Sequence, residues 1–98
     1  MGVEYESMFY VYLIKSEKDG NCYIGSTNDL KRRMLEHNNG LVLSTKSRKP
    51  FNPVYYEAYQ SEKDARHREK NLKLRSRAFA QLKKRITESI ISVGINER

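Results

Sequence analysis

After seven mixed residues the chain enters an almost unbroken apolar and aromatic run, Met8 to Lys15, which the polar stretch Glu17-Lys18-Asp19-Gly20 ends. A second β-rich run, Cys22-Tyr23-Ile24, follows at once. Two such runs joined through Asp-Gly predict a hairpin, because glycine supplies the positive φ that a tight turn demands. Alternation places Tyr10, Tyr12 and Ile14 on one face of the first strand and Phe9, Val11 and Leu13 on the other. Both faces are apolar, so this strand is expected to be covered on both sides and central in its sheet.

From Leu30 the period changes. Leu30, Arg33, Met34 and His37 recur at helical spacing, which turns Arg33 and His37 toward the protein and leaves Lys31 and Arg32 outside. Thr27 or Asn28 is expected to cap this helix, Asp29 to lie in its first turn and Asn38-Asn39-Gly40 to stop it. Gly40 to Pro50 is too polar for either period and reads as a loop. Phe51 to Tyr59 predicts a third strand that Pro53 delays or confines to a sheet edge. Ser61, with Asp64 three residues on, predicts a capped helix start whose inner stripe holds Ala65, Glu69 and Leu72, with Arg66, Lys70 and Lys73 pointing elsewhere. A further helix after Ser76 presents Phe79, Leu82, Ile86 and Ile90, keeps Lys83, Lys84 and Arg85 mostly on the other side, and is expected to end at Gly94. The predicted architecture is α+β, a small central three-stranded antiparallel sheet flanked by about three helices. Residues 8–93 are expected to form a single domain, with 1–7 and 94–98 as flexible ends.

The 98 residues suffice for one modest core and leave no room for a separate targeting module, so site choice is expected to be weak or to come from a protein partner. A single cysteine, Cys22, excludes an internal disulfide, and no apolar run approaches the ~20 residues of a membrane span. A cytoplasmic protein without membrane contact, monomeric or weakly dimeric, is expected. Lys and Arg number 19 against 12 Asp and Glu, giving +7, and the whole excess falls between Ser61 and Arg85, where ten basic residues meet three acidic ones. Such a segment suits a polyanion, and suits equally well a solvated helix face that serves solubility.

The runs Phe9-Tyr10-Val11-Tyr12-Leu13-Ile14-Lys15-Ser16, Gly20-Asn21-Cys22-Tyr23-Ile24-Gly25-Ser26-Thr27, Asp29-Leu30-Lys31-Arg32-Arg33-Met34 and Glu36-His37-Asn38, in that order, resemble the GIY-YIG nuclease superfamily. Within it the short, free-standing bacterial and archaeal proteins related to the excinuclease C N-terminal domain are the nearest in pattern. The resemblance covers most of the chain, Met8 to Ile86. It tips the basic segment toward nucleic acid. The first motif reads Tyr10-Val11-Tyr12, with tyrosine in place of the name-giving glycine and Tyr12 kept. The asparagine that closes the catalytic set in longer relatives has no clear counterpart, since Asn96 lies in the tail.

The resemblance implies a divalent-metal-dependent endonuclease that hydrolyses phosphodiester bonds in DNA with low intrinsic sequence specificity, in DNA repair or processing. That chemistry needs an attacking water, a group to take its proton, positive charge for the phosphoryl oxygens and help for the leaving alkoxide. By resemblance Tyr23 activates the water or passes its proton on, and Tyr12 partners it. Arg33 holds phosphate oxygens with its planar fork, and His37 relays a proton or holds water or phosphate. Glu69 binds Mg2+, for which Mn2+ substitutes, and Gly25 keeps the backbone approachable. Taken one at a time these residues also have plainer uses: tyrosines favour strands, a histidine closes a helix, and Glu69 pairs with Arg66 or Lys73. Lys46, Arg48, Lys49, Arg75 and Arg77 are candidates for contacts to the nucleic-acid backbone, which position without reading sequence. Cys22, His37 and His67 show no zinc-like spacing. The rival expectation is a catalytically silent nucleic-acid-binding module that acts within a partner complex.

Overall fold

The structure is a computed structural model that describes residues 7–93; Gly94, Asn96 and the two expected flexible ends, Ser7 apart, lie outside the described residues. Strands β1 (Phe9–Ser16) and β2 (Cys22–Thr27) are followed by helix α1 (Leu30–Asn38), a 3-10 turn at Lys46–Arg48, strand β3 (Phe51–Tyr59) and helices α2 (Glu62–Leu74), α3 (Ser76–Arg85) and α4 (Thr87–Ser92). The sheet order is β2-β1-β3, with β1 antiparallel to both neighbours.

The double-sided apolar pattern of β1 explains its place, since Val11, Tyr12, Leu13 and Ile14 are all buried in the middle of the sheet. One face sends Tyr12 and Ile14, with Phe51, against Leu30 and Met34 of α1. The opposite face sends Val11, Leu13 and Ile24 against Ala65 and Leu72 of α2 and Leu82 of α3. Alternation thus separates two cores across one sheet, each closed by a different helix layer. Pro53 sits on edge strand β3, beside a register shift between Leu13 and Ile14, where its missing N–H costs no central ladder bond. The strand runs from Phe51, so proline places it at the edge without delaying it.

Gly20, with φ of 74°, makes the turn between β1 and β2. Arg48 ties that turn to the distant loop: its Nε lies 2.7 Å from Asp19, its Nη2 donates to the Asn21 carbonyl at 3.1 Å, and its guanidinium stands 5.4 Å from the Phe51 ring centre. The bond to Arg48, with help from the Asn21 N–H, holds the Asp19 carboxyl down to about 2. The Ser16 hydroxyl donates to the Arg48 carbonyl at 2.6 Å and completes the staple. On the opposite side, Glu57 of β3 accepts two bonds from Arg68 of α2, at 2.9 and 3.1 Å, and further bonds from the hydroxyls of Tyr55 and Tyr59. Burial works to raise the Glu57 carboxyl, but Arg68 and the two phenols outweigh it and hold it below the usual range. Burial and the bond to Glu57 push Tyr59 up to about 12. This cluster clamps the middle of α2 onto the sheet.

Three local expectations are corrected. Asp29 itself caps α1, its side chain accepting from the Arg32 N–H at 3.0 Å, because Thr27 is occupied by the Asp29 N–H. Ser61 stands at the start of α2 but makes no side-chain capping bond. The last predicted helix is two: it breaks at Ile86 (φ −121°, ψ 30°), and the Thr87 hydroxyl bonds back to the Lys83 and Lys84 carbonyls, competing with the regular ladder. Ile86 and Ile90 reach the core nonetheless, so the predicted stripe holds across the break.

Leu13 is 1 % exposed and serves the α2 side of the sheet. Leu13→Ala is expected to lower unfolding free energy by about 2–5 kcal/mol, read as a shift of the urea midpoint with an unchanged slope.

Candidate active site

The β1–β2 register sets Tyr12 opposite Gly25 and Val11 opposite Ser26. The Tyr12 ring lies across Gly25 so closely that a Cβ on residue 25 would collide with the hydroxyl oxygen and Cζ of Tyr12. Glycine is required here by space, its φ being ordinary. The Tyr12 hydroxyl then reaches α1 and lies 2.8 Å from His37 Nε2, while His37 Nδ1 lies 2.7 Å from the Thr45 hydroxyl. His37 and Thr45 are both 0 % exposed. Burial first, and the Arg33 charge second, push His37 down to about 4. A neutral imidazole with one donor and one acceptor nitrogen matches two hydroxyl neighbours. Burial raises the Tyr12 phenol above its ordinary value although Arg33 pulls the other way, so Tyr12 is protonated at neutral pH.

The expectation that His37 itself holds water or phosphate is corrected by this placement. Both of its ring nitrogens are occupied, by Tyr12 and Thr45, and it sits behind Tyr12. Its ring also packs 5.3 Å from Tyr23 and 5.8 Å from Phe51.

Tyr23 is the outer tyrosine, half-buried, with its hydroxyl 3.3 Å from Ser44 and its ring 5.6 Å from the Lys73 ammonium. Arg33 extends from α1 with its side chain 34 % exposed; Nη1 meets Glu36 at 2.9 Å, and Nε is buried without a hydrogen-bond partner. Glu69, on the inner stripe of α2, receives the Ser26 hydroxyl on Oε1 at 2.6 Å and the Lys73 ammonium on Oε2 at 2.9 Å. Burial disfavours its charge, but Ser26 and Lys73 more than compensate and hold the carboxyl below the usual range. Tyr12 feels the charges of Arg33, Tyr23 and Glu69 together. Side chains from β2, α1 and α2 therefore come within electrostatic reach of one tyrosine on β1.

Lys73 does not point away as its helical phase suggests. Its long stem lets it fold back one turn onto Glu69 and over Tyr23. Ser26, Ser44 and Thr45 are the other site residues that the sequence reading missed. Strand alternation alone could have found Ser26, which shares the Ile24 face; Thr45 and Ser44 lie in an aperiodic loop that carries no such signal. Among the expected backbone contacts, Arg48 is paired with Asp19 in the staple. Lys46 and Lys49 are exposed on the loop, Arg75 caps the end of α2 and bonds Asn71 at 3.2 Å, and Arg77 is exposed at the start of α3.

Among the described residues no group of three or more His, Cys, Asp or Glu could cage a metal ion. One ionised carboxylate with open solvent beside it instead suits magnesium, which keeps several waters and takes further oxygens from a substrate phosphate. Glu69 fits that use, provided Lys73 yields Oε2.

Two outcomes follow from this geometry. The unfolded chain, with histidine at its ordinary 6.5, takes up a proton that folded His37 refuses until about 4. Stability is thus full above about pH 6.5 and declines as pH falls toward about 4, by roughly 2 kcal/mol between about pH 7.5 and 5. Urea unfolding at both pH values should show this loss in the wild type and a smaller one in His37→Gln. Gly25→Ala should displace Tyr12, costing about 1–3 kcal/mol of stability and breaking the Tyr12–His37 bond, visible as a changed His37 imidazole NMR signal.

The profile of the GIY-YIG catalytic domain matches residues 8–85. A UPF0213 protein of Staphylococcus saprophyticus is 39 % identical over 69 residues, covering 69 % of this chain and 83 % of that protein. One from Halobacterium salinarum is 39 % identical over 72 residues, covering 72 % of this chain and 92 % of the relative. The solution structure of the UPF0213 protein from Bacillus halodurans superposes with a TM-score of 0.53 at 28 % identity, over 87 % of this chain and 94 % of that one. A domain match across most of the chain, small relatives of similar extent and a shared three-dimensional form agree: the chain belongs to the GIY-YIG nuclease family, among its small free-standing UPF0213 members.

Proposed function

We propose that the protein is a divalent-metal-dependent endonuclease that hydrolyses phosphodiester bonds in DNA with low intrinsic sequence specificity, in repair or processing, with a protein partner supplying site choice. The observation that carries this reading is that Tyr12, packed across Gly25, stands within electrostatic reach of Tyr23, Arg33 and Glu69, which come from three further elements. Membership of a nuclease family and the basic segment Ser61 to Arg85 support it.

The roles follow from exposure and charge. Arg33 is partly open to solvent and is held by Glu36 at the rim, so its guanidinium can exchange that partner for phosphoryl oxygens. Tyr23 is the tyrosine that solvent reaches, and it relays the proton of the attacking water, accepting it on the phenolic oxygen as its own O–H proton passes to solvent. Tyr12 stays protonated and is aimed by His37, so it orients that water without taking its proton. Glu69 would hold Mg2+, or Mn2+ in its place, which supplies Lewis-acid stabilisation of the leaving oxygen when bound. Lys73 beside Tyr23, and the exposed Lys46 and Lys49 of the loop, would serve as backbone contacts that carry no base readout.

Purified wild type and Glu69→Ala, assayed on labelled single-stranded, duplex and branched DNA and on RNA, test the reading. Wild type should cut with magnesium or manganese and stop with chelator. Glu69→Ala should lose at least ~100-fold in rate while binding within about threefold of wild type. Binding without cutting by the wild type on every substrate would select the silent binding module instead.

A further inference from the structure

A second feature adjoins this site. At the open end of the sheet, where β1 begins and β2 ends, lies a cavity of about 280 Å³ walled by the first turns of α1 and α2. Its floor, among the described residues, is Phe9, Tyr10, Ser26 and Thr27, and its walls carry Arg32, Arg33 and Arg66. Glu62 is the one acidic residue in the lining, so positive charge predominates. Glu62 is paired with Arg66 at 3.1 Å, but the side chains are 55 % and 72 % exposed respectively, and such a pair yields readily to a phosphate. Arg32 reaches Thr27 and Asn28 at 3.4 and 3.3 Å and pairs with Glu36 at 3.5 Å, all contacts open to solvent that a phosphate can replace.

The cavity shares walls with the candidate active site. Ser26 lines it and also holds the Glu69 carboxylate, and Arg33 belongs to both. On α2, Arg66 precedes Glu69 by three residues, about one helical turn or ~5 Å along the axis. A group bound in the cavity is therefore a near neighbour of whatever phosphate sits at Glu69 and Arg33.

We propose that this cavity is a subsite for the single unstacked nucleotide that adjoins the scissile phosphate, its phosphate on Arg32 and Arg66 and its base against Phe9. The inference rests on the nuclease reading and narrows it. The volume is at the low end for small-molecule sites, which admits one nucleotide and excludes a stacked base pair. Arginine forks suit phosphate, and aromatic rings accept any base face without reading it. A base leaves a duplex stack only at a cost, so the strand that is cut must be unpaired at this position, as in single strands, flaps or junctions.

The test uses the whole chain in chelator, so that binding is read without cleavage. Anisotropy of fluorescein-labelled dodecathymidylate and of a blunt duplex is measured for wild type and for Arg32→Ala/Arg66→Ala, with circular dichroism confirming the fold. The double variant should bind the single strand about tenfold more weakly and the duplex within about threefold of wild type. Addition of the dinucleotide pTpT to labelled protein should move the amide signals of Ser26, Thr27 and Asn28. Equal losses on both oligonucleotides would show general phosphate attraction and overturn the proposal, as would unmoved amides. A wild type that binds pTpT in this cavity but never cuts any substrate would sink the nuclease reading alone.

Discussion

The placement of the Tyr12 ring over Gly25 is the contact on which the rest of the site depends. It needs three things at once: a central strand that brings Tyr12 level with Gly25, a residue without a side chain at that level, and a hydrogen-bond partner for a phenol that the sheet and α1 have desolvated. His37 is that partner, and it is in turn satisfied by Thr45. Burying three polar side chains is costly unless each is paired, and here the pairing is complete. The chain therefore rigidifies the site and links the loop after α1 to the centre of the sheet.

Charge on the two helices is arranged around this neutral interior. Arg33 leans on Glu36, and Glu69 is balanced between Ser26 and Lys73. Each ionised group is held by a partner at the rim and is not sealed in the core, so each can exchange that partner for substrate or metal. Glu57, wrapped by Arg68, Tyr55 and Tyr59, has no such freedom. Its use is to fix α2 against β3, and by fixing α2 it sets where Glu69 and Lys73 emerge.

Much of the fold was readable in the order of residues. The two-sided apolar character of β1 marked it as central, Pro53 marked an edge strand, and the helical stripes of α1, α2 and α3 named the residues that face the sheet. These features depend on neighbours a few positions apart, where backbone geometry alone decides which side chains share a face. The readings that failed were those in which a side chain chose among competing partners. Asp29 displaced Thr27 and Asn28 as the cap, and the Thr87 hydroxyl bonds back to Lys83 where the last predicted helix breaks in two.

By itself the sequence determined the element order, the inward set of Tyr12, Arg33, His37 and Glu69, and the basic segment, because period, spacing and charge are local properties. Tertiary structure alone decided that His37 is a buried neutral support, that Lys73 turns back onto Glu69 and Tyr23, and that Ser26 and Thr45 belong to the site. Burial, and the choice among hydrogen-bond partners, are set by which distant segments converge, and no periodicity within one segment encodes that convergence.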